Sequence, residues 1–63
     1  MKYKIGDLLE DGIGELWIVM GIKWSGELDL GQKYVLQKCD NIRQTWEDYV
    51  AYADHYKHLT KVS

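Results

Sequence analysis

The sequence predicts an α+β fold, mainly β: a small twisted antiparallel sheet, curled toward a barrel, with one C-terminal helix. Three observations carry this. Short runs of β-branched and aromatic residues recur at regular spacing and are punctuated by Gly, Asp and Asn. From Trp46 onward the apolar residues change to helical spacing. Finally, the chain has 63 residues and a single cysteine, so one domain must fold without an internal disulfide. A domain this small buries only about 60% of its unfolded surface. Three tryptophans and five tyrosines supply the large apolar bodies that dense packing needs.

The elements follow in order. "KYKIGDLLEDG" alternates briefly through Tyr3 and Ile5, and predicts a strand over 2–9 and then a turn at Asp11, Gly12 and Gly14. "ELWIVMGIKW" is the strongest strand signal, over 15–24. Simple alternation places Leu16, Ile18, Met20, Ile22 and Trp24 on one face and Trp17, Val19 and Gly21 on the other, with a bulge or bend expected at Gly21. The acidic "SGELDLG" reads as a loop. "QKYVLQKC" gives a strand over 32–38, and "CDN" a tight turn into a fourth strand over 42–45. Thr45 followed by Asp48 resembles a capping box, and Glu47, Asp48, Lys57 and His58 suit a helix dipole over 46–59.

Charge and composition narrow the function. The formal net charge is −2, with acids dominating the first half. That argues against a phosphate-tracking protein, which shows a basic face. No apolar run is long enough for a signal peptide or a membrane span, and a lone cysteine suits a reducing compartment, so a cytoplasmic protein is expected.

The candidate chemistries are thin. His55 and His58 sit near Asp54, but a zinc site needs three or four converging ligands, so no metal or other cofactor is expected. Cys39 adjoins a turn and reads as a bystander thiol. Glu10–Asp11 and Glu47–Asp48 have sufficient structural roles in a turn and a first helical turn. "GIG" at 12–14 lacks the strand–loop–helix context of a phosphate loop. No catalytic motif remains, and an enzyme is not expected.

Binding is the better expectation. On a helix, Trp46, Tyr49, Val50 and Ala53 form one compact face, and Tyr52, Tyr56 and Leu59 widen it beyond what a small sheet needs. Tyr49, Tyr52, Tyr56 and Leu59 are therefore the candidate partner-binding residues. The alternative from another class is a single-stranded nucleic-acid surface of Trp17 and Tyr34 with Lys23, Lys33 and Lys38. Core packing competes with this for the tryptophans, most strongly for Trp24, which is in phase with Ile18 and Ile22. A third reading is a homodimer through the same helix face.

"YKIGD", "LWIVMGI", "KYVLQ" and "TWEDYVAYADHY" together resemble small Src-homology-3-like barrel proteins of phages and prophages of Gram-positive bacteria. The resemblance spans nearly the whole chain through short, degenerate motifs. It implies a barrel-like fold and binding rather than catalysis; if the source is a phage, a host or defence protein is the expected partner. It assigns no functional residue. The acidic "SGELDLG" loop and the tyrosine-rich helix depart from the family layout.

Overall fold

Alternating apolar residues need a partner strand on each side, and the chain supplies one by folding back on itself repeatedly. The computed structural model describes residues 1–24, 26 and 31–62. Its elements are β1 (Leu8–Glu10), β2 (Leu16–Trp24), β3 (Gln32–Lys38), β4 (Asn41–Tyr49), α1 (Val50–Ala53) and β5 (Thr60–Lys61). All strands join one antiparallel sheet in the order β4-β3-β2-β1-β5, so the first strand pairs with the last and β4 and β5 form the edges. The acidic loop lies outside the described residues except for Gly26 and Gly31.

The first predicted strand, 2–9, shortens to Leu8–Glu10. Residues 4–7 turn instead: the Asp7 N–H donates to the Lys4 carbonyl at 3.0 Å, and the Lys4 N–H donates to Asp7 Oδ2 at 2.9 Å. Gly6 takes φ +93°, which the third position of a type II turn requires. The turn swings Tyr3 out of the sheet and down onto its inner face, where it is buried.

The irregularity expected at Gly21 lies between Val19 and Gly21, and it changes the meaning of β2. Val19 opposes Leu36 and Gly21 opposes Val35, leaving Met20 as an extra residue. An extra residue reverses the side-chain phase beyond it. Leu16 and Ile18 therefore face outward with Leu8 and Gln37, whereas Trp17 and Val19 face the core with Leu9 and Leu36. Ile22 and Trp24 return to the inner phase, alongside Tyr34 and Gln32. The single apolar face drawn from Leu16 to Trp24 thus does not form. Trp24, preferred for the core, lies past its end and is 71% exposed, while Trp17 is buried.

The predicted helix is also corrected. The fourth strand does not stop at Thr45 but runs to Tyr49, and of 46–59 only Val50–Ala53 is helical. Trp46 and Val50 are four apart, a spacing that fits a period of two as well as a helical one, and pairing with β3 draws Trp46–Tyr49 into the strand. Leu36 lies opposite Trp46, whose ring meets Trp17 edge-on at 5.4 Å. A helix shorter than about 12 residues is marginal without tertiary support, and aromatic and β-branched residues suit a pleated surface better. Thr45 consequently caps nothing, and α1 has no side-chain cap at Tyr49.

The inner face is closed by the two chain ends. Tyr3, Leu9, Trp17, Val19, Tyr34, Leu36, Ala53 and Leu59 form the core, with Ile22, Trp46 and Val50 packed against it. The buried polar tips are satisfied together, as buried hydroxyls must be. The Tyr34 hydroxyl donates to Asp54 Oδ1 at 2.6 Å and accepts from the Tyr3 N–H at 3.1 Å. The Tyr3 hydroxyl donates to the Leu59 carbonyl at 3.0 Å, and the Lys2 N–H donates to Asp54 Oδ2 at 3.1 Å. Burial, with the hydrogen bond to Asp54, pushes the Tyr34 hydroxyl up to about 12.

Candidate functional site

The expected tyrosine flank divides into three. Leu59 leaves it altogether: it is buried at 1% exposure on the inner face, and its carbonyl holds Tyr3. Tyr56 is 44% exposed and its ring meets His58 at 5.6 Å, in the segment leading to β5. Tyr52 is 57% exposed and stacks edge-on against half-buried Tyr49 at 5.9 Å. Only Tyr49 and Tyr52 stay together.

The alternative nucleic-acid surface is taken apart by the same geometry. Trp17 and Tyr34 are core residues with no free ring face for a base. The Trp17 indole N–H donates to Asp11 Oδ2 at 2.9 Å, while Asp11 Oδ1 accepts from the Ile13 and Glu15 N–H groups. The indole hydrogen bond holds the Asp11 carboxyl below its usual range. Asp11 thus builds the β1–β2 turn, a role that its position before "GIG" already suits. Lys38 is engaged by Glu15 at 2.7 Å and Asp40 at 3.6 Å, and its ammonium is pushed up chiefly by the Glu15 contact.

Lys23 and Lys33, by contrast, remain side by side. They oppose each other directly across β2 and β3, and Tyr49 of β4 continues the row. Lys33 Nζ lies 4.8 Å from the Tyr49 ring centroid, and Lys23 Nζ pairs with Glu47 Oε1 at 2.8 Å. That pairing, led by the Lys23 hydrogen bond, holds the Glu47 carboxyl below its usual range. Next to this row on the outer face lie Gly21, Val35 and Glu47, and beyond them Leu8, Ile18, Gln37 and Thr45. Leu8, Ile18 and Val35 are half-buried; Leu16 and Met20 are exposed.

This outer face is an apolar strip with a lysine pair and two tyrosines at one end. Sequence reading missed it because the bulge at Met20 hides which residues share a side. One signal was present: both phases of "LWIVM" are apolar, as in a strand that has apolar neighbours on each face.

His55 and His58 are exposed, and no group of three or more His, Cys, Asp or Glu side chains converges among the described residues. His58 packs over the β1–β2 turn, where a Cβ on Gly12 would lie 3.1 Å from the His58 Cβ. Cys39 is a free, exposed thiol in the β3–β4 turn. Among the described residues no helix is long and apolar enough to cross a membrane. No family model, curated protein or solved structure matches this chain.

Proposed function

We infer that this chain is a non-catalytic binding module that acts by contact with another protein. The contact surface is the outer face of the sheet with Tyr49 and Tyr52 at its end. One observation carries the reading: Leu16 and Met20 stand exposed beside Leu8, Ile18 and Val35 on the face opposite the core. Contiguous apolar surface of this kind costs solubility and marks interaction sites. Edge-on tyrosines add rigid, amphipathic contact area of the sort that anchors interfaces.

The pairing of β1 with β5 supports reading the sheet as a Src-homology-3-like barrel that is open between β4 and β5. For a phage- or prophage-encoded chain the partner is a host or defence protein, met in the cytoplasm. The helix face on which a homodimer was expected is divided, with Trp46 and Tyr49 in β4, Val50, Tyr52 and Ala53 in α1, and Tyr56 and Leu59 beyond it, so the sheet's outer face is the better-supported surface.

Affinity capture with wild type, Met20→Glu and Tyr56→Ala, each checked for native circular dichroism, tests the surface. A specific protein retained by wild type and Tyr56→Ala but lost by Met20→Glu is the expected result. Equal retention by Met20→Glu, or loss in Tyr56→Ala alone, contradicts it.

A further inference from the structure

On an antiparallel pair, like charges directly opposite each other repel. Lys23 and Lys33 are such a pair, and one carboxylate serves both: Glu47 contacts Lys23 at 2.8 Å. Among the described residues Lys33 has no ion pair, and its ammonium rests on the Tyr49 ring. Among the described residues, these groups give the Lys23–Lys33–Glu47 corner an excess positive charge in a chain whose net charge is −2. The corner adjoins the apolar strip of Val35, Ile18 and Met20, with Tyr52 beside Tyr49.

Resting on the protein-binding reading above, we propose that the outer face takes an extended, acidic and apolar segment of a partner protein. Its apolar side chains lie along Ile18, Met20 and Val35, and a carboxylate reaches Lys33 and Lys23. The charge complementarity is local and small, which suits a peptide carboxylate. A nucleic-acid strand needs a longer basic track to release enough counterions, and among the described residues no such track lies on this face. An approaching carboxylate gains from Lys33 without displacing Glu47, and it relieves the lysine–lysine repulsion.

Amide chemical-shift titration of the whole protein tests this with three probes: a peptide of alternating Leu and Glu, one of alternating Leu and Lys, and single-stranded oligothymidylate. The proposal expects the Leu/Glu peptide to bind and to shift Lys23, Val35, Lys33 and Tyr49. The paired substitution Lys23→Gln/Lys33→Gln weakens that binding roughly tenfold, because each exposed ion pair is worth up to about a fivefold effect. Lys57→Gln serves as the control and leaves binding unchanged. Equal binding of both peptides overturns the acidic preference. No binding of either peptide overturns the docking of such a segment. The protein-binding reading has its own outcome, because the captured partner of the previous section is retained or lost independently of these peptides. Tighter, steeply salt-dependent binding of oligothymidylate overturns both readings in favour of nucleic acid. Concentration-dependent self-association abolished by Met20→Glu assigns the face to a second copy and also overturns the proposal.

Discussion

The two faces of the sheet carry similar residues and do opposite things. The inner face has Leu9, Trp17, Val19, Tyr34 and Leu36, all buried. The outer face has Leu8, Leu16, Ile18, Met20 and Val35, none of them fully buried. Hydrophobicity does not distinguish the two sets. The chain ends do: Tyr3 from one end and Ala53 and Leu59 from the other pack onto the inner face alone. Tyr3, Ala53 and Leu59 thus close one side of a small sheet, and among the described residues the other side is left apolar and partly exposed.

If the inner face holds the fold, truncating it has the largest effect. Leu36→Ala removes a fully buried side chain between Val19 and Trp46 and is expected to cost about 2–5 kcal/mol, read from urea unfolding. A domain of this size has little stability to lose, so partial unfolding in buffer is an equally clear positive.

Next comes the closure by the chain ends. Tyr34→Phe keeps the ring but leaves the Tyr3 N–H and Asp54 Oδ1 without their hydroxyl partner, at an expected cost of about 1–3 kcal/mol. The same group sets the alkaline limit. Its folded pKa is raised, so its contribution is complete below the ordinary tyrosine range near 10 and is lost as pH rises through about 12. Stability of the wild type should fall across that window, and Tyr34→Phe should flatten the fall. An unchanged alkaline profile would show that the hydroxyl is not buried against Asp54.

The acidic limit belongs to the β1–β2 turn. Asp11 has a depressed pKa, with the Trp17 indole as the first cause, so its contribution is present above the ordinary carboxylate range and is lost as pH falls through the folded value. Asp11→Asn should lower the thermal midpoint slightly at neutral pH and reduce the loss on acidification. Parallel acid profiles for variant and wild type would remove Asp11 from this role.

Much of the architecture was legible from residue order. The strand at 32–38, the Cys39–Asp40 turn and the turn built on Asp11 appear where composition places them, because each rests on local chemistry. Two features were not legible, for one physical reason. The irregularity near Gly21 was expected, but not that the extra residue Met20 reverses the phase of β2 beyond it, nor that β3 captures Trp46–Tyr49 from a helix; both are settled by pairing across strands rather than along the chain. The candidate site inherited both errors. Leu59, Trp17 and Tyr34 turned inward, and the Lys23–Lys33–Tyr49 row could emerge only from the register.

The face assignment itself is tested most directly by one pair of adjacent substitutions, Val19→Thr and Ile18→Thr, compared by urea unfolding. Val19 is buried on the inner face, so Val19→Thr places a hydroxyl in the core and is expected to cost about 1–3 kcal/mol. Ile18 is half-buried on the outer face, so Ile18→Thr is expected to cost about 1 kcal/mol or less. The account predicts that order. Ile18→Thr costing as much as Val19→Thr, or more, would place the core on the other face and contradict it.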